Sequence, residues 1–148
     1  MSKGNTFENE LLLHIFNNSN IADIGDATGL VASTGAGSLY VSLHTGDPGE
    51  AGDATTSETA YTGYARVAVA RSGAGWTVTA NSVSPAANID FGECTAAPGA
   101  ALTHFAVSSG IDGTGVEDIL YFGTLTPNIT MATGVIPRIK TTSTITED

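Results

Sequence analysis

Phe7, Leu11 and Ile15 recur at every fourth position, with Leu12 and Phe16 beside them. An apolar stripe of that period predicts an amphipathic helix near the start of the chain, whose broad face must cover either the chain's own core or a partner. Thr6 is placed to cap it, and Glu8 and Glu10 fall in a first turn where the helix dipole favours carboxylates. The run Asn17, Asn18, Ser19, Asn20 ends it. Residues 23–37, DIGDATGLVASTGAG, carry glycines at 25, 29, 35 and 37 and read as loop. Beyond them the period falls to two. Leu39, Val41 and Leu43 alternate with Tyr40, Ser42 and His44, and residues 61–71, YTGYARVAVAR, are expected to form the next strand, with Val67, Val69 and Arg71 opposite Arg66, Ala68 and Ala70. Further strand-like runs are Trp76–Thr79, Ala87–Phe91, Leu102–Ser108, Asp118–Thr124 and Pro137–Thr146, with turn signals GAG at 73–75, APGA at 97–100 and GIDGTG at 110–115 between them.

About seven short strands at near-even spacing behind one helix predict a mainly β chain, an antiparallel β-sandwich or jelly-roll-like domain with one N-terminal α-helix. No strand-helix alternation suggests a parallel sheet. The expected organisation is a single domain over 1–148, with 1–20 the helix and its cap and 38–148 the sandwich. Pro127 and Pro137 are expected at strand ends, where a missing N–H matters least. The segment TTSTIT at 141–146 is uncharged and β-branched. Left bare it would invite pairing, so it is expected to be covered by its own sheet or by a neighbour.

Charge narrows the function classes. Fifteen acidic residues against five basic ones give a net charge of −10. Phosphate binding needs clustered Lys and Arg, so nucleic acid and anionic membrane surfaces are excluded as partners. Charged residues make up 14% of the chain against about 25% in an ordinary domain, which leaves a polar but weakly charged surface suited to packing on neighbours. The single cysteine, Cys94, rules out an intrachain disulfide and any zinc site needing two thiolates, and is expected to be a small buried hydrophobe. The start, MSKGNTFENELLLHIF, does not have the form of a signal peptide, because its apolar run is short and broken by His14. No stretch approaches the ~20 apolar residues of a membrane span.

The candidate chemistry is sparse. The turn in LYVSLHTGDPGEAG, residues 39–52, leads to Asp47, Glu50 and Asp53, but their spacing is not that of a calcium loop and Pro48 stiffens the segment. In DGTGVED, residues 112–118, Asp112, Glu117 and Asp118 can converge on calcium, while a hairpin turn accounts for Asp-Gly equally well. His14, His44 and His104 share no ligand spacing. There is no G-x-S-x-G, and the glycines of GAGSLY at 35–40 open into a strand rather than a helix N-terminus. Tyr40, Tyr61, Tyr64, Trp76 and Tyr121 either line a sugar-binding groove or pack the interior. Arg66 and Arg71, two of only five cations, are expected to form ion pairs within the chain or with another chain. No metal, cofactor or catalytic set is expected, and the chain is read as a non-enzyme.

The order LLLHIF, LYVSLHTGDPGEAG, YTGYARVAVAR, NIDFGECT, LTHFAVS, DILYFGTLT resembles a family of small tailed-bacteriophage virion proteins often labelled phage tail fibre proteins. The resemblance covers nearly the whole chain, and its most specific pieces are 39–52 and GYARVAV at 63–69. It carries no catalytic residue. It implies a virion structural protein made in the host cytoplasm. The leading expectation is a capsid decoration, or cement, protein on the head surface, bound to the major capsid protein and to copies of itself as a dimer or trimer. The alternative is a tail-fibre or tail-tip domain that binds host surface carbohydrate. The residues expected to touch partners are Phe7, Leu11, Ile15, Arg66 and Arg71.

Overall fold

The computed structural model describes residues 2–110 and 113–148. The fold class is the expected one, mainly β with antiparallel strands and a single N-terminal helix. The chain forms two units, each built from separated segments: Met1–Ser38, Val69–Asn88 and Ile139–Asp148 in the first, Leu39–Ala68 and Ile89–Arg138 in the second.

In the first unit, α1 spans Asn5–Asn17. The expected cap at Thr6 is corrected. Gly4 is the N-cap, with no side-chain bond, and its carbonyl accepts the Glu8 N–H at 3.0 Å. At the other end Asn18 adopts the left-handed conformation and its N–H bonds the Leu13 carbonyl, which closes the last turn. The buried line is Glu8, Leu12 and Phe16, one position round from Phe7, Leu11 and Ile15. The rotation has a clear cause: Phe16 meets Trp76 edge-on, ring centroids 4.8 Å apart, and both rings are fully buried. Trp76 opens β3 (Trp76–Thr79), which pairs with β4 (Ser82–Pro85), Trp76 opposite Pro85. Ala80, at φ 52°, makes the turn between them. β4 then pairs with β9 (Ile145–Thr146), Val83 opposite Ile145. The end of TTSTIT is therefore taken into its own sheet, as a two-residue edge strand. The Asn81 amide donates to the Glu147 carbonyl at 3.0 Å and Lys3 pairs with the Glu147 carboxylate at 3.0 Å, tying both ends of the chain into this unit.

The second unit holds β1 (Ser38–His44), β6 (Leu102–Ser108) and β7 (Ile119–Ile129), with β2 (Val67–Ala70) on the far side of β1 and running on into the first unit. The order is β2-β1-β6-β7. β1 and β6 are in unbroken antiparallel register from Tyr40 opposite Ser108 to His44 opposite His104. β7 is longer than expected and runs through Pro127, which lies inside the strand where the β6 register shifts, not at its end. A two-stranded sheet joins β5 (Ile89–Asp90) to β8 (Arg138–Ile139). Residues 61–71 are not one strand. Tyr61–Tyr64 is a turn, and only Val67–Ala70 enters a sheet. A Cβ on Gly92 would lie 1.9 Å from the Gly63 carbonyl oxygen, so two main-chain segments cross there at a distance that only glycine permits. Tyr61, Ile89, Phe91, Cys94, Leu102, Ala106 and Val107 are among the buried residues of this unit.

Candidate functional site

On β1 the polar residues Ser42 and His44 alternate with the apolar ones, yet both are fully buried. The covering piece is the chain that leaves the acidic turn and doubles back: Thr45 N–H bonds the Ser57 carbonyl at 2.8 Å, and Thr59 N–H bonds the Leu43 carbonyl at 3.0 Å. His44 Nδ1 lies 2.8 Å from the Thr56 carbonyl oxygen, which can only accept, so the ring hydrogen is on Nδ1 and Nε2 accepts from the Ser42 hydroxyl at 2.8 Å. The pattern is that of a nucleophile and its base, but neither residue reaches solvent, and its work is to satisfy a buried polar seam. The turn itself is shaped by its own acids. Asp47 accepts the Gly49 N–H at 2.8 Å, and Asp53 accepts the Thr55 N–H and hydroxyl at 2.8 and 2.5 Å.

Burial, above all, holds the His44 pKa below that of a free imidazole, aided by Arg66 and His104 and opposed by the Thr56 carbonyl and Glu58. The unfolded chain therefore takes up a proton more readily than the native one, and stability must fall as pH drops below about 6.5. His44→Gln should flatten that part of the curve. Urea midpoints across this range are the measurement, and a wild-type midpoint that does not move would refute it.

Arg66 sits at the centre of the second polar group. Its side chain is 5% exposed. Nε and Nη2 each donate to Glu58 at 2.8 Å, Nη1 donates to Glu117 at 3.1 Å, and Nη2 also reaches the Gly115 carbonyl at 3.0 Å. The Tyr64 hydroxyl donates to Glu58 at 2.7 Å and accepts the Leu43 N–H at 3.1 Å. Burial raises the Tyr64 pKa far above that of a free phenol, and hydrogen bonding to Glu58 raises that of Arg66. Ser108 donates to Glu117 at 3.3 Å. Gly110, at φ 138°, lets Glu117 lie against the main chain, since a Cβ there would be 2.0 Å from its carboxylate. Arg66 is thus paired inside the chain, one of the two arrangements expected of it.

Arg71 is used differently. It caps the C-terminal end of α1, donating to the Ile15 carbonyl at 2.6 Å and the His14 carbonyl at 2.5 Å, where a cation also suits the helix dipole. On the helix, Phe7 is 37% exposed and Leu11 and Ile15 are half-buried, so this stripe lies beside the buried line and keeps apolar surface in solvent. Arg66 belongs to the second unit and the helix residues to the first. Of the aromatic residues, Trp76 and Tyr61 are buried in different units. Tyr64 stacks on Phe91 and meets Tyr61 edge-on, and burial pushes the Tyr61 hydroxyl up to about 12. Tyr61 and Trp76 are thus turned inward, while Tyr40, Tyr64 and Tyr121 are half-buried. In the calcium candidate, Glu117 is held by Arg66 and Asp112 lies outside the described residues. Among the described residues no three of His, Cys, Asp and Glu gather as a metal site, and no helix is long and apolar enough to cross a membrane.

The comparison with known families gives the class: this is a structural protein of a tailed-phage virion. The chain belongs to the family described as Podophage GP4 fiber I protein gp80, whose profile matches residues 2–147. No curated protein matches it.

Proposed function

We propose that the chain is a globular module of a phage tail fibre, associating with copies of itself and with other virion proteins and performing no catalysis. The observation that carries this reading is the near full-length match to a family described as a fibre protein. The apolar stripe of Phe7, Leu11 and Ile15, beside a helix face already in contact with its own unit, supports an assembled state. Carbohydrate binding gains nothing from Trp76 and Tyr61, which are inside. One feature favours the other reading, decoration of the head shell against the major capsid protein: the sequence has neither heptads nor collagen-like triplets from which to build a shaft.

Gold-labelled antibody on intact virions separates the two. The fibre reading expects label on the tail alone, and label spread over the head would overturn it in favour of decoration. Turnover of host polysaccharide above blank would overturn the non-catalytic part.

A further inference from the structure

The four-stranded sheet ends on β7, whose only strand neighbour among the described residues is β6. The direction of the β7 main chain follows from β1. Leu43 donates its N–H to the Tyr64 oxygen and its carbonyl accepts the Thr59 N–H, so Leu43 faces away from β6. Bonded and non-bonded pairs alternate along an antiparallel ladder. Phe105, opposite Leu43, therefore turns its main chain to β7, where its partner is Gly123. Phe122 and Thr124, on either side of Gly123, aim their N–H and C=O groups out of the sheet.

Proteins that stay single guard such an edge with a lysine, an inward charge or a proline. From Ile119 to Thr126 the strand reads ILYFGTLT, with no charge, and its one proline, Pro127, comes only after this run, where the β6 register shifts. No residue of β7 is buried, and Leu120 is 40% exposed, whereas β6 buries Leu102, Ala106, Val107 and Ser108.

We propose that β7 pairs with β7 of a second copy, antiparallel about a two-fold axis at Gly123, joining the two sheets into one. In that register Phe122 exchanges both main-chain bonds with Thr124 of the second copy, and the reverse, so every outward group there meets one of its own kind of partner. Gly123 has no side chain on the axis, where facing Cα atoms come closest, about 4.5 Å. Charge selects a second copy as the occupant. Each chain carries −10, and two copies can approach only where acids do not face acids. The nearest acids, Glu117 and Asp118, precede β7 and are held by their own unit, where the Ala54 N–H bonds the Glu117 carbonyl at 2.9 Å and Asp118 bridges Asp53, so no carboxylate lies on the run Ile119–Thr126 that pairs. The strand is thus complementary to itself, which is what a two-fold interface requires.

This inference rests on the self-association in the reading above, but not on where in the virion the copies sit. Sedimentation of the purified full-length chain tests it, with Thr124→Pro, which removes an N–H that β6 does not use, and Thr124→Lys, which restores an edge guard without touching the backbone. Wild type should sediment as a dimer and both variants as monomers with unchanged circular dichroism. In the wild-type dimer the Phe122 and Thr124 amides should be as protected from exchange as that of Gly123. In Thr124→Lys they should exchange at least about tenfold faster while Gly123 stays protected. A monomeric wild type, a dimer that survives both substitutions, or freely exchanging Phe122 and Thr124 amides in the dimer would each overturn the proposal. So would a wild type that pairs only with a strand of another virion protein. None of these results bears on the antibody labelling, so the two readings fail separately.

Discussion

Arg66→Met is expected to lower the stability of the chain by about 3–5 kcal/mol, the range for removing one partner of a buried ion pair. Methionine keeps most of the stem and its packing, so the loss measures the charge. The guanidinium makes a two-pronged contact with Glu58 and a third bond to Glu117, whose side chains are only 16% and 8% exposed. Without it two carboxylates are left nearly dry with no cation between them. The exposed pair is the control. Arg138 and Asp90 are about half exposed, and Arg138→Met should cost far less than Arg66→Met, because solvent screens the pair.

A second substitution separates lost charge from lost packing. Adding Glu58→Gln to Arg66→Met removes one of the two stranded carboxylates without restoring any packing, and should recover part of the deficit at neutral pH. Denaturant midpoints for the four proteins settle the matter. If Arg66→Met is no worse than Arg138→Met, the buried cluster does not hold this unit together.

Little of that cluster was visible in the sequence. Arg66, Glu58 and Glu117 follow no period, and the only sign was a lone cation among alternating apolar positions in a chain with five cations. The strand Leu102–Ser108 was legible to the residue because a run carrying the strand formers Thr103, Phe105 and Val107 is bounded by turn residues on both sides. β4 was not, since SVSP offers one apolar residue and a proline, and it becomes a strand through its hairpin with β3. The helix could be read but its buried face could not. Both the Phe7 stripe and the Leu12–Phe16 line are apolar, and the choice is made by Trp76, some sixty residues away. Ser42 and His44 alternate as surface residues do, and nothing local signals that residues 54–59 fold over them. The strand expected over 61–71 was broken by the crossing of Gly63 and Gly92, another non-local contact. What was lost in each case is a decision taken by residues distant in sequence, whereas periodicity reports only on neighbours.

Trp76→Ala is expected to cost about 3–5 kcal/mol, comparable with the loss at Arg66, and to act on a different unit. The indole is 1% exposed and packs against Phe16, so its removal leaves a large void under α1. One effect works the other way: among the described residues the indole N–H is buried without a partner, and deleting it relieves about 1–3 kcal/mol of desolvation. The two effects are separable. Trp76→Phe keeps a ring against Phe16 and discards the orphan donor, and should cost less than about 1.5 kcal/mol. Thirteen residues are too few for a helix to persist alone in water, so α1 depends on this contact. In Trp76→Ala the amides of Leu12 and Phe16 should exchange much faster, while those of β1 and β6 change less. Equal stability of the Ala and Phe variants would mean that the void carries no penalty. An unchanged exchange rate at Leu12 and Phe16 would mean that the helix is anchored by something other than this ring pair.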